Sequence, residues 1–281
     1  MKKWKKIIID KSNKITKQSN VKNFNDYSKE MDGYDSNDNY KSKDLFFKKY
    51  LKDRYLTLDK YLTENLNINK KNLSIASGRA INELSLISNK FNITCSDLQV
   101  PSCYEDSQKL FGNFDYIKFN ILKDKINKKF DNIFALSSFY IFSSSELEEI
   151  LNNFNQIINK DGTLILEFPG SEDNFFSFIF NEIYLVLESY LAYTISKIFK
   201  KKIGINFNNN FGFKRKNKEI IKLVEKFGFS IISVHEYDYL TEIKRSLLVN
   251  KIINYLPFTT TFFKLISSNI PYIRMFKFKK I

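Results

Sequence analysis

Within LSIASGRAINELSLISNKFNITCSDL, residues 73–98, small residues and a carboxylate stand at spacings that suit a nucleoside. Ala76, Gly78 and Ala80 alternate where a turn must let its backbone approach a ligand closely, and side chains this small permit it. Asp97 follows seventeen residues after Ala80. A carboxylate at that distance can accept both hydroxyls of a ribose. The same residues also describe a plain strand-turn-helix unit whose aspartate caps the next segment.

Either use requires elements that hold the turn and the acid together. Leu73 to Ala76 reads as a buried strand, Ile81, Leu84 and Ile87 recur at helical spacing, and Phe91 to Cys95 reads as a second strand. Tyr116 to Phe119 and Asn132 to Leu136 follow as third and fourth strands. Ser145 with Glu148 has capping-box spacing ahead of the stripe Leu147, Ile150, Leu151, Phe154, Ile157 and Ile158, and Asp161–Gly162 is read as the end of that helix. Thr163 to Phe168 is a nearly all-apolar fifth strand, as a parallel sheet covered on both faces requires. A late helix from Lys218 to Phe227 stops at Gly228, and strands at Phe229 to Val234 and Ser246 to Val249 bring the total to seven. This predicts an α/β fold, a doubly wound, Rossmann-like, mostly parallel seven-stranded sheet.

The 281 residues suffice for one such domain with additions. Residues 1–44, rich in Lys, Asn, Ser and Asp, read as a flexible extension, 45–250 as the sheet domain, and 251–281 as a basic amphipathic tail. Aromatics from Phe46 to Tyr61 predict helices ahead of the first strand. The net charge of +14 comes almost wholly from lysine, with only five arginines, so the forked contacts that read phosphate and guanine are scarce and nucleic acid is disfavoured as a partner. Cys95 and Cys103 form neither a metal motif nor a disulfide framework, which fits a reducing cytoplasm and no metal site.

An insertion at about 171–214 is aromatic and apolar, but Glu182 and Glu188 interrupt it too soon for a bilayer span. Glu182, Ser189 and Ser196 repeat every seven residues as a narrow polar stripe on an apolar helix. Such a helix packs on the protein's own core or lies on a membrane surface, with Phe178, Tyr184 and Leu185 as its candidate lipid-facing residues. The tail, with Lys264, Arg274, Lys277, Lys279 and Lys280, poses the same choice.

Over roughly Leu45 to Val249 the chain resembles the class I S-adenosylmethionine-dependent methyltransferases. LSIASGRA is similar to their glycine-rich first motif, ITCSDL to the second strand with its acid, FDNIFALSSFYIF to the fourth strand, and GFSIISVHEY to a late strand. The resemblance implies S-adenosylmethionine as cofactor. It implies that Ala76, Gly78 and Ala80 line the methionine and ribose, Asp97 holds the ribose diol, Leu98 packs on adenine, Asn120 accepts from the adenine amino group, and Ser137 borders the methyl group. Ser74 occupies the place of the family's acidic residue, and two expected glycines are alanines. Alanine fits such a turn readily only at negative φ. Positions 76 and 80 are therefore expected outside the left-handed region, and a left-handed alanine would narrow the pocket.

Methyl transfer from a sulfonium relies on in-line positioning, and a base serves only some acceptors. Tyr140, Glu167 and His235 are the candidate bases. The implied acceptor is small, sugar-linked or lipid-linked. A nicotinamide enzyme is disfavoured because Ile81 stands where a dinucleotide turn needs glycine. A non-catalytic interaction or membrane-surface protein on the same fold stays open.

Overall fold

A computed structural model of the chain describes residues 7–9, 15–17, 52–101, 103–170, 175–199, 213, 215–237, 240, 243–244, 246–267, 270–271 and 273–281. Apart from a small hairpin, β1 (Ile7–Ile9) against β2 (Ile15–Lys17), the N-terminal extension lies outside these residues. The described chain falls into two compact units, one of residues 23–168, 218–235 and 275–281, the other of 1–22, 169–217 and 236–274.

The first unit carries the sheet. Its elements are α1 (Lys52–Asn65), β3 (Asn72–Ile75), α2 (Ile81–Ser88), β4 (Ile93–Asp97), α3 (Tyr104–Phe111), β5 (Asp115–Lys118), β6 (Phe130–Ala135), α4 (Ser144–Ile157) and β7 (Ile158–Pro169). Then come α7 (Asn217–Glu225), β8 (Phe229–Tyr237) and β9 (Ile273–Lys280). The seven strands lie in the order β5-β4-β3-β6-β7-β9-β8, and β3 to β7 pair in parallel. Gly228 accepts from the N–H of Ile281 and Lys279 from the hydroxyl of Ser230, a pairing in which β9 runs antiparallel to β8. Leu73, Ile133, Phe134, Leu164 and Ile165 are fully buried between the covering helices, as expected of strands with no wet face.

The last strand corrects two sequence expectations. Ser246–Val249 is not a strand: Ser246 accepts from the N–H of Val249 at 3.0 Å and caps a helix that begins at Leu247. The seventh strand is instead β9, from the region read as a basic tail, where Met275, Phe276 and Phe278 are wholly buried. Its lysines are spent within the sheet unit, Lys277 on Asn65 at 3.0 Å and Lys279 on Asp161 at 2.9 Å. Two local signals also shift. The capping box is Ser143 with Glu146, two residues earlier than the spacing at Ser145 suggested, and α4 ends at Ile157. Asp161–Gly162 is an irregularity inside β7, where Asp161 has φ 62° and the register to β6 slips.

The second unit is helical, with α5 (Phe175–Phe178), a π-helical stretch (Ile179–Tyr184), α6 (Leu185–Ile198), α8 (Leu247–Tyr255), a short 3₁₀ turn (Pro257–Thr259) and α9 (Thr260–Ser267). Phe180, Leu185, Ile243, Val249, Ile253 and Ile270 form its core, with Tyr184 packed against them. Glu188 accepts from the Ser246 hydroxyl and the Leu248 N–H, each at 2.8 Å, so the insertion's charged position caps α8 from outside and ties α6 to it. Of the two uses left open for this insertion, Tyr184 and Leu185 take packing on a protein core, while Phe178 is 43% exposed. The side chains of Glu182, Ser189 and Ser196 lie outside the described residues.

Candidate functional site

Strand order reverses at β3, with β4 and β5 on one side and β6 and β7 on the other. Chains leaving the ends of β3 and β6 diverge to opposite faces and leave a crevice there. The turn from β3 to α2 opens onto it. Ala76, Gly78 and Ala80 have φ 55°, 54° and 58°, so all three take the left-handed conformation of a glycine turn. The expectation that the two alanines avoid it is overturned.

Several contacts from other strands enforce this geometry. The Ser77 N–H donates to Ser96 O at 2.9 Å, the Ser96 N–H donates to Ser77 Oγ at 3.2 Å, and the Ser96 hydroxyl donates to Ser74 O at 2.7 Å. Tyr116 on β5 donates its hydroxyl to Gly78 O at 2.6 Å. Left-handed alanine costs about 1 kcal/mol relative to glycine, and such strain persists where surroundings over-determine the backbone. Ala80 is 1% exposed, so its methyl is packed within the protein; the consequence for pocket width falls on the partly exposed Ala76. A Cβ built on Gly78 meets nothing within 4 Å. The turn is open at its middle.

Asp97 closes this arrangement at the end of β4. Its Oδ2 accepts from the Gly78 N–H at 2.8 Å and its Oδ1 from the Leu98 N–H at 2.6 Å. Asn120 follows β5; its Oδ1 accepts from Leu122 N–H at 3.1 Å and its own N–H donates to Asp124 at 2.7 Å. The amide oxygen expected to face a ligand is therefore already shared with a local turn.

Ser74 does not line the crevice. It is fully buried, and its hydroxyl donates to Glu83 Oε1 at 2.6 Å. Glu83, on the first turn of α2, supplies beneath the turn the carboxyl that Ser74 lacks. Burial pushes its pKa up to about 7, with the charge of Asp97 adding to the rise and the Ser74 hydrogen bond opposing it. Burial likewise pushes the Cys95 thiol well up, which makes it a packing residue rather than a nucleophile.

Ser137 lies just past the end of β6 in the left-handed region, φ 56°. Glu167 Oε2 accepts from its N–H at 2.9 Å and its hydroxyl at 3.2 Å. Glu167 is in turn paired with Arg54 from α1 at 2.7 Å, and Arg54 also contacts the Ser137 hydroxyl. Both charges are buried, Arg54 at 8% and Glu167 at 3% exposure. The structure thus brings Ser137 and Glu167 together and adds Arg54, which only the aromatic pattern around it pointed toward. Tyr140 sits in the short 3₁₀ turn directly after β6. His235 is on β8, separated from β3 by β6, β7 and β9, and packs edge-on against Tyr61 at 5.7 Å. It is not part of this cluster.

No family model matches the chain, and no curated protein matches it in sequence. Solved structures do match in fold. Magnesium protoporphyrin IX methyltransferase from Synechocystis PCC 6803, with S-adenosylhomocysteine bound, aligns over 92% of this chain and 96% of its own at 12% identity and a TM-score of 0.52. The Burkholderia thailandensis 1,6-didemethyltoxoflavin-N1-methyltransferase aligns over 80% and 77% at 9% identity, also at 0.52. The pyocyanin biosynthetic protein PhzM aligns over 82% of this chain and 56% of its own at 10% identity and 0.54. The chain has the class I S-adenosylmethionine-dependent methyltransferase fold.

Proposed function

We propose that the chain binds S-adenosylmethionine at the turn after β3 and transfers its methyl group to a small sugar-linked or lipid-linked acceptor. One arrangement carries the reading: three consecutive alternate residues in the left-handed conformation, with Asp97 bonded to the middle one. The residues present suit the cofactor. The space over Gly78 is open, Ala80 turns its methyl into the protein, and Asp97 ends β4 beside the turn, the place from which a carboxylate accepts from a ribose diol. The same fold with bound S-adenosylhomocysteine in the Synechocystis enzyme supports the choice of ligand.

The cofactor supplies an activated methyl group on a sulfonium, so the chain's work is to bind, orient and exclude water. Asp97 and Leu98 take the nucleoside, as the resemblance implies, with Asn120 beside adenine. Ser137 borders the transferred group, and the Arg54–Glu167 pair fixes its backbone in a conformation that serine adopts reluctantly. Glu167 therefore acts as a positioning residue, its carboxylate committed to Arg54, and Tyr140 is the remaining candidate for proton transfer to or from an acceptor.

The test is calorimetric titration of the purified chain with S-adenosylmethionine and with S-adenosylhomocysteine. Micromolar binding of both supports the reading. A second reading, a non-catalytic relative, draws on the same left-handed alanines and the narrowing that Ala76 brings. Absence of binding by a folded protein would favour it.

A further inference from the structure

The helical unit buries one side of its helices and leaves the other bare. On α8, Val249 and Ile253 face the unit's core, while Leu248, Lys251 and Tyr255, spaced three and four apart, are exposed. The 3₁₀ turn and α9 that follow expose Phe258, Phe262 and Leu265 as well. Tyr255 and Phe258 are each 79% exposed and Leu265 75%, values that place whole apolar side chains in water. On α6 a second bare stripe, Leu187, Leu191, Ile195 and Ile198, recurs at helical spacing. Large apolar side chains exposed together on one segment mark an interaction surface.

Charge identifies the partner. Between Glu188 and Glu219 the sequence has no acidic residue but carries Lys197, Lys200, Lys201 and Lys202 among its cations, and after Glu242 it has none at all. Lys251 and Lys264 stand exposed among the bare aromatics. Glu188 is directed to Ser246 and the N-terminus of α8. Exposed aromatics flanked by lysine, on α8 and α9 whose own sequence carries no acidic residue, match an anionic bilayer surface, where apolar side chains enter the acyl boundary and each lysine gains from the surface potential. Among the described residues no helix is long and apolar enough to cross a membrane.

We propose that the α8–α9 segment, with Tyr255, Phe258 and Phe262 as its apolar anchors and Lys251 and Lys264 as its charged flanks, docks this chain on anionic lipid. The docking delivers the protein to an acceptor resident in the membrane, and in that consequence alone it rests on the methyl-transfer reading.

The test is flotation with vesicles of equal parts phosphatidylcholine and phosphatidylglycerol, beside vesicles of phosphatidylcholine alone. The wild type is expected to float with the anionic vesicles and to be released by salt. Phe258→Ser with Phe262→Ser is expected to lower partitioning by about a hundredfold. Lys251→Glu with Lys264→Glu is expected to lower it by about thirtyfold or more on the anionic vesicles only. Thermal melting and sedimentation accompany each variant. A folded wild type that ignores both vesicles overturns the proposal, as does a dimer that these substitutions dissociate without any vesicle binding. Cofactor titration is read separately, so failure of lipid docking and failure of the methyltransferase reading give different results.

Discussion

The backbone N–H of Gly78 donates to Oδ2 of Asp97 at 2.8 Å, joining the turn after β3 to the acid that ends β4 across nineteen residues of chain. Removing the carboxylate loosens the turn and deletes the acceptor for a ribose together. Asp97→Ala is expected to weaken S-adenosylmethionine by about 30- to 100-fold, on the scale of a charge-assisted hydrogen bond, and Asp97→Asn by less. Calorimetry of wild type and both variants checks this; equal affinities would remove Asp97 from the site.

Glu83 predicts how stability follows pH. Its pKa rises from 4.5 to about 7 on folding. Between these values the native state holds a proton that the unfolded chain has lost, so stability falls as pH rises through that window and is lowest above it. The cost is on the order of 3 kcal/mol at neutral pH. Glu83→Gln, which keeps the hydrogen bond from Ser74 without ionising, is expected to flatten the profile. Urea denaturation of both proteins across the window measures it, and parallel profiles would show that Glu83 does not titrate there.

Left-handed alanine is a correctable strain. Ala76→Gly and Ala80→Gly are each expected to raise stability by about 0.5–1 kcal/mol, the relief at positive φ exceeding the entropy glycine gains on unfolding. Ala76→Gly should also tighten cofactor binding, because its methyl is the one partly exposed at the turn. Melting curves and titrations of the two variants separate these effects. A loss of stability in both would mean that the alanine methyl contacts outweigh the backbone strain.

The Arg54–Glu167 pair is buried at both ends, and breaking one side leaves an uncompensated charge. Arg54→Met is expected to destabilise by about 3–5 kcal/mol, while Arg54→Met combined with Glu167→Leu recovers about half of that. The double variant should still lose cofactor-dependent turnover, since Ser137 would no longer be held by the carboxylate. Chemical denaturation gives the coupling energy, and additive losses would mean that the two side chains act independently.

The motif region was legible because parallel strands with both faces covered must be almost continuously apolar, and because a small-residue turn followed by an acid is a local pattern. The φ of Ala76 and Ala80 was not. It is imposed by Ser77, Ser96 and Tyr116, two of which stand on other strands and become neighbours only through pairing. Nothing in the sequence separates Glu83 from any other first-turn carboxylate of a helix; only the fold sets the Ser74 hydroxyl against it. Arg54 lies 113 residues from Glu167, a separation across which no spacing rule operates. At the other end, IRMFKFKK alternates Phe276 and Phe278 with Lys277 and Lys279, a period of two that the basic composition masked. SLLV at 246–249 misled in the opposite sense: a short apolar run does not distinguish a strand from the first turn of a helix, and the cap at Ser246 decided it.

β9 lies between β7 and β8, yet the ribosome makes it after both. During synthesis β7 and β8 cannot zip together, and each must wait with an unpaired edge beside it for a strand still to emerge. Such late insertion joins contacts far apart in sequence, which slows closure and prolongs the exposure of apolar edges. The nascent chain is therefore most prone to aggregate in the interval between the appearance of β8 and the arrival of Met275, Phe276 and Phe278 in the gap left for them.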